Sequence, residues 1–153
     1  MPSAPSRIRQ PVPRLQGWDY RSTAPYFITM NTKHRRRILS RVECGEVLLS
    51  PIGLIVTTCW HAIPGHVPGI ELGRFVVMPD HLHGILVLPE VGRSLCDLVG
   101  QFKAAVTRAA RRAGLPFDPP LWQRSYYERI LRSPREWWYH DRYIAENPAR
   151  WKD

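Results

Sequence analysis

The stretch Leu72-Gly-Arg-Phe-Val-Val-Met-Pro-Asp-His-Leu-His-Gly-Ile-Leu-Val-Leu88 decides the fold. Its aromatic and β-branched runs predict two strands, Leu72–Met78 and His81–Leu88. Pro79-Asp80 is a tight turn between them, so the middle of the chain is a hairpin. On the N-terminal side, Ser50-Pro51 has the form of an N-cap followed by proline at the first helical position. Ile52, Ile55, Val56, Cys59 and Ile63 then recur at helical spacing until Pro64, the expected stop. Val42–Leu49 predicts a weaker strand or a hairpin about Gly45, and Tyr26–Met30 a strand. On the C-terminal side, Ser94 and Asp97 resemble a capping box, and Leu95, Leu98, Val99, Phe102, Val106 and Ala109 form one apolar stripe. Gly114 and Pro116 end that helix, and Leu121–Leu131 predicts another strand. Ser133-Pro134-Arg135-Glu136 opens a last helix that should run to Asn147, because Pro148 disfavours continuation.

The order strand, helix, strand, strand, helix, strand is the split βαβ arrangement. The expected fold is therefore α+β and ferredoxin-like, an antiparallel sheet with helices on one face plus a C-terminal helix. Residues 1–16, with four prolines and three arginines, predict a basic flexible arm, and residues 17–153 a single domain. Such a fold assigns no function by itself.

Charge and cysteine usage narrow the classes. The chain of 153 residues carries 22 basic and 13 acidic side chains, a net charge of +9. Residues 1–41 hold +8, residues 42–100 hold −4 and residues 101–153 hold +5. Two basic ends about an acidic middle point to a polyanion-binding face, since clustered Lys and Arg release counterions from phosphates. Cys44, Cys59 and Cys96 have no CxxC spacing, which argues against a zinc knuckle or a disulfide framework. No apolar run approaches the roughly 20 residues that span a bilayer, and Met1–Gln16 lacks the apolar core of a signal peptide. The expectation is a cytoplasmic, nucleoid-associated protein with no membrane partner.

Two constellations carry chemistry. In His81-Leu-His83 the histidines alternate along a strand, so both point to one face, roughly 6.6–7 Å apart along the backbone, and can converge on one metal. Two ligands leave open positions, which suits catalysis better than a closed structural site. In the last helix Tyr139, Tyr143 and Asn147 fall at i, i+4 and i+8 along one side, while Trp137 and Ile144 occupy another stripe. A phenol there can serve as a nucleophile if a divalent cation polarises the phosphate under attack, because an unperturbed tyrosine ionises only near pH ~10. Asn147 or Glu146 could add an oxygen to the metal.

The chain resembles the single-tyrosine HUH transposases, in particular the REP-associated tyrosine transposases and their insertion-sequence relatives. The resemblance rests on Leu15–Tyr20 before Tyr26-Phe-Ile-Thr, Phe75–Ile85, Gln101-Phe-Lys-Ala-Ala-Val106, Leu121–Ile130 and Tyr143-Ile-Ala-Glu-Asn-Pro148, in the family's order. It implies that His81 and His83 are the metal-binding pair, Asn147 the third ligand and Tyr143 the nucleophile. It also implies Mg²⁺ or Mn²⁺ as the metal, and as substrate a single-stranded DNA beside an imperfect hairpin. Cleavage would pass through a 5′-phosphotyrosine and leave a free 3′-hydroxyl, with no ATP or other cofactor. Family members occur as monomers and as homodimers, and both states are open. Asp80 departs from the asparagine more usual at its position, which adds a carboxylate beside the metal pair. The chain ends at Asp153, so no separate C-terminal DNA-binding region is expected.

DNA contacts are expected from Lys103, Arg108, Arg111 and Arg112 on one helix and from Arg124. Trp122, Tyr126 and Tyr127 would stack bases, and Arg35, Arg36 and Arg37, with Arg7, Arg9 and Arg14, would touch the hairpin stem or its flank. The competing class is a catalytically inactive hairpin DNA- or RNA-binding module on the same fold. A two-histidine phosphodiesterase would need His-x-Ser/Thr, which does not occur in the chain.

Overall fold

A computed structural model describes residues 24–89 and 94–153. The expected arm at residues 1–16 and the Leu15–Tyr20 stretch lie outside the described residues, as do Arg7, Arg9 and Arg14. Four strands form the main sheet: β1 (Pro25–Asn31), β4 (Glu71–Val77), β5 (His81–Val87) and β6 (Tyr127–Ile130). Their order is β4-β5-β1-β6 and every pairing is antiparallel. The helices α1 (Pro51–His66) and α2 (Leu95–Arg112) make the two crossovers, and α3 (Pro134–Arg150) follows β6. This is the ferredoxin-like arrangement with an added C-terminal helix. The expected hairpin about Gly45 forms a separate ribbon, β2 (Ser40–Glu43) with β3 (Glu46–Leu49).

Alternation along the strands sorts the core into two layers. Tyr26, Ile28, Met30, Leu82 and Leu86 pack with Trp60 and Phe102 beneath α1 and α2. Phe27 and Ile85 point the other way and meet Leu131, Tyr143 and Ile144. The sheet is thus covered on both faces, and α3 has one to itself. Gly84 allows the first layer to close, because a Cβ there would stand 2.5 Å from the Trp60 ring. The flat contact between Trp60 and the sheet needs a residue with no side chain.

The three serine caps form as expected. Ser50 accepts from the Gly53 amide at 3.0 Å, Ser94 from Asp97 at 3.2 Å and Ser133 from Glu136 at 3.1 Å. Gly114, at φ +70°, ends α2 in a Schellman turn in which Leu115 N donates to Ala110 O and Gly114 N to Arg111 O, each at 3.0 Å.

Four boundaries differ from expectation. Pro64 and Pro148 do not stop their helices, which run on to His66 and Arg150. Each proline forfeits one hydrogen bond in a final turn that tertiary packing holds: Ile63 in α1 and Val67 just after it are buried, and Ala149 lies against Gly45. The stripe on α2 closes on Ala110 instead of Ala109, the position four residues beyond Val106. Of Leu121–Leu131 only Tyr127–Ile130 is strand. The upstream half touches β1's extension through one bridge, Thr32 to Trp122, because the Lys103 ammonium takes the Gln123 and Ser125 carbonyls at 2.8 and 3.0 Å. Among the described residues no helix is long and apolar enough to cross a membrane.

Candidate active site

The register that sets Asn31 opposite His81, Thr29 opposite His83 and Phe27 opposite Ile85 puts these residues on the face that α3 covers. His81 and His83 converge there. Their Nε2 atoms are 3.1 Å apart, and their ring centroids 4.6 Å apart at 69°.

The other nitrogen of each ring is held. His81 Nδ1 meets Asp80 Oδ1 at 2.6 Å, while Asp80 Oδ2 accepts from Arg35 Nε at 3.1 Å. Burial pushes the Asp80 carboxyl up, but hydrogen bonds from His81 and Arg35 outweigh this and hold it below its usual range. An ionised carboxylate has no hydrogen to give, so His81 Nδ1 carries the proton and, in the neutral ring, Nε2 presents its lone pair. His83 Nδ1 lies 2.7 Å from Thr29 Oγ1. Burial first, and then the positive charges of His81 and Arg35, drive His83 well below the ordinary imidazole range, so it is neutral at physiological pH. The Thr29 hydroxyl can play either part. When it donates to Nδ1, His83 gives its Nε2 hydrogen to His81; when it accepts, two lone pairs face each other.

This donor set fits a divalent cation. A 3.1 Å separation matches two adjacent ligands at right angles on an ion with bonds of about 2.1 Å, and the orienting bonds at both Nδ1 atoms are those that metal-ligating imidazoles require. Among the described residues no cluster of three or more His, Cys, Asp or Glu side chains suits a metal.

Helix α3 brings the tyrosine. The Tyr143 ring lies 5.3 Å from His83 at 66°, edge-on to Phe27 at 6.0 Å, and is 8% exposed. Burial pushes its phenol up, while a hydrogen bond with the Asn147 side chain and the Arg150 charge pull it down. Tyr143 and Asn147 therefore meet, as the i, i+4 spacing predicts. Glu146, the alternative ligand, is taken by Arg142 and Arg150 at 2.7 Å each. Tyr139, one turn back, lies edge-on to His140 at 5.2 Å.

Two side chains not singled out from the sequence complete this cluster. Phe27 is stacked on His83 at 5.3 Å and touches His140 at 4.8 Å, which makes it the hub of the aromatic group. Buried His140 donates Nδ1–H to the Glu136 carbonyl at 2.7 Å, and its Nε2 has no hydrogen-bond partner among the described residues. Pairing Tyr26–Met30 against His81–Leu88 would have found Phe27 and Thr29, but only once the register was known.

The expected DNA contacts divide. Arg108, Arg111 and Arg124 line an open groove between α2 and residues 119–124, and exposed Arg112 lies off it. Lys103 also borders the groove, but its ammonium is turned onto two carbonyls and burial lowers it to about 8. Trp122 and Tyr126 are 5% and 6% exposed, so they belong to the core and offer no free ring face for stacking. Half-buried Tyr127 packs edge-on to Phe27 at 6.2 Å. The arginine run ties the molecule together: Arg35 to Asp80, Arg36 Nη2 to the Asp118 and Pro120 carbonyls at 2.8 Å, and Arg37 to Asp153 at 3.3 Å. The Arg37 guanidinium also lies 5.2 Å over Trp151, whose ring is 6.3 Å from His81. No spacing rule in the sequence separates such ties from a solvated charge run.

No protein-family model matches the chain. It is 33% identical over 160 residues to an uncharacterized protein of Haemophilus influenzae, covering 91% of this chain and 88% of that one. It is 30% identical over 80 residues to the REP-associated tyrosine transposase of Escherichia coli K12, covering 52% of this chain and 45% of that protein. A candidate REP-associated tyrosine transposase of Haemophilus influenzae is 26% identical over 93 residues, covering 56% and 52%. The matches thus span about half the length of each named transposase. Among solved structures, the fold is similar to a REP-associated tyrosine transposase bound to a REP hairpin, at a TM-score of 0.69 and 22% identity over 91% of this chain and 74% of that one. It is also similar to a candidate transposase from Deinococcus radiodurans, at a TM-score of 0.56 and 22% identity over 88% and 96%.

Proposed function

We propose that this chain is a member of the superfamily of the REP-associated tyrosine transposases and that it cleaves and rejoins single-stranded DNA beside a hairpin through a covalent bond to Tyr143. The observation that carries the reading is the meeting of three groups on one face of the sheet: paired histidine Nε2 atoms at 3.1 Å, a tyrosine ring whose centroid lies 5.3 Å from that of His83, and Asn147 bonded to that tyrosine. His81, His83 and the Asn147 amide oxygen would hold Mg²⁺ or Mn²⁺, which when bound draws charge from a phosphate oxygen.

The remaining chemistry belongs to the chain. The Tyr143 oxygen attacks phosphorus, the bond from phosphorus to the 3′ oxygen breaks, and the phenol's proton is balanced by the one that the departing 3′ oxygen takes up. One phosphate ester replaces another, so the step is reversible and needs no ATP. A 3′-labelled hairpin-bearing strand incubated with the protein and Mn²⁺ should give a denaturant-stable labelled adduct. The absence of an adduct under conditions where the strand binds would overturn the reading.

One observation favours a second reading, a hairpin-binding module that does not cut. Tyr143 is buried and its phenol is pushed away from ionisation, which is the disposition of a packed side chain. The adduct assay separates the two.

DNA affinity in this proposal comes from the groove arginines and not from the histidine pair. Replacing Arg108, Arg111 and Arg124 together with alanine should flatten the slope of log affinity against log salt by about two to three units, at ~0.7–0.9 for each phosphate no longer neutralised. Binding titrations across a salt series measure this, and an unchanged slope removes the groove from the DNA path.

A further inference from the structure

Resting on the metal reading above, we infer that Asp80 is a positioning residue that selects the tautomer of His81 against the pull of Arg35. Asp80 is 7% exposed and all of its acceptors are assigned. Oδ1 takes the His81 Nδ1 hydrogen at 2.6 Å and Oδ2 the Arg35 Nε hydrogen at 3.1 Å. Its main-chain carbonyl accepts from the Thr32 amide at 3.0 Å and the Thr32 hydroxyl at 3.1 Å, which anchors the turn that carries it.

Arg35 reaches this place at a conformational cost. His34 and Arg35 have φ of 57° and 54°, consecutive non-glycine residues in the left-handed region that side chains avoid. The strained turn points a guanidinium at the Asp80 and His81 pair. Arg35 Nη2 stands 3.5 Å from His81 Nδ1, too far and too crowded by the bound hydrogen to make a good bond. A guanidinium can only donate. Without the Asp80 carboxylate, Arg35 becomes the nearest partner of Nδ1, and that contact is favourable only if Nδ1 gives up its hydrogen. His81 would then carry its proton on Nε2, the atom that faces His83 Nε2, and the donor pair would close.

Asp80 therefore keeps the His81 lone pair turned toward His83, while Arg35 fixes the carboxylate through its other oxygen. An asparagine at this position could still accept the Nδ1 hydrogen through its amide oxygen, so geometry is kept while charge is lost.

The test has two readouts. Nitrogen-15 NMR of the full chain without metal, above the ordinary imidazole range, reports which His81 nitrogen holds the proton. Electron paramagnetic resonance titration with Mn²⁺ reports affinity. The wild type and Asp80→Asn should show the hydrogen on Nδ1, and Asp80→Ala should show it on Nε2. The Mn²⁺ dissociation constant should rise about 10–100-fold in Asp80→Ala, the usual effect of losing an outer partner of a ligating histidine. It should recover in part in Asp80→Ala/Arg35→Ala, where nothing pulls the tautomer over. An Asp80→Ala protein with its tautomer and affinity unchanged would overturn the inference. If His81→Ala binds Mn²⁺ as tightly as the wild type, the metal reading falls instead, and the tautomer measurement still judges Asp80 alone.

Discussion

Tyr143→Phe should eliminate the covalent adduct altogether while leaving the fold and hairpin binding intact. The substitution removes one oxygen, and the ring that packs against Phe27 and His83 remains. What disappears is the nucleophile and its hydrogen bond to half-buried Asn147, a neutral bond of about 1 kcal/mol. Thermal unfolding should shift by no more than a few degrees. Tyr139→Phe is the matched control. Tyr139 lies on the same side of α3 but meets His140 edge-on, about 5.4 Å back along the axis. It should form the adduct at close to the wild-type rate. Gel analysis after denaturation, with all three proteins at equal DNA occupancy, checks both.

His81→Ala should lower cleavage by on the order of 10³ or more, the scale of losing a preorganised electrostatic contact to the reacting phosphate, with DNA affinity within a few-fold of wild type. The separation follows from geometry: the histidine pair lies under α3 on one face of the sheet, and the groove arginines lie beside α2, which packs on the other. His81 is the better residue to remove. Its ring packs only at the margin of the aromatic cluster, against His83 and Trp151, whereas His83 is stacked on Phe27, packed against Tyr143 and bonded to Thr29, so its removal would disturb packing more. Single-turnover cleavage with saturating protein measures the defect, and a salt-matched binding titration measures the control. Loss of binding parallel to loss of cleavage would mean that the histidines serve DNA binding or the fold.

Much of the architecture is legible without coordinates because local rules agree there. Ser50, Ser94 and Ser133 mark three helix starts, Pro79-Asp80 marks the hairpin, and alternation places both histidines on one face. The failures have a common cause. Pro64 and Pro148 read as stops, yet a final helical turn tolerates one missing hydrogen bond when the residues around it are packed. Leu121–Tyr126 has the composition of a strand, but a lysine from α2 occupies two of the carbonyls a neighbouring strand would need. Trp122 and Tyr126 have the right chemistry for stacking bases, and nothing in their spacing shows that both are buried. The run Arg35-Arg-Arg37 reads as a phosphate contact, and nothing in its spacing shows that it also makes three ties within the chain, to Asp80, to the 118–120 carbonyls and to Asp153. That His81 shares a face with His83, and Tyr143 with Asn147, is legible because period 2 and period 3.6 each fix a face; how those two faces pair depends on the tertiary packing of α3 against the sheet.

The most direct test of the account maps the covalent bond. Wild-type protein is incubated with a hairpin-bearing single strand and Mn²⁺, denatured, digested and analysed by mass spectrometry. The account predicts one modified peptide, with a nucleotide joined through its 5′ phosphate to Tyr143. A nucleotide on any other residue, or none under conditions where the strand is bound, would contradict it.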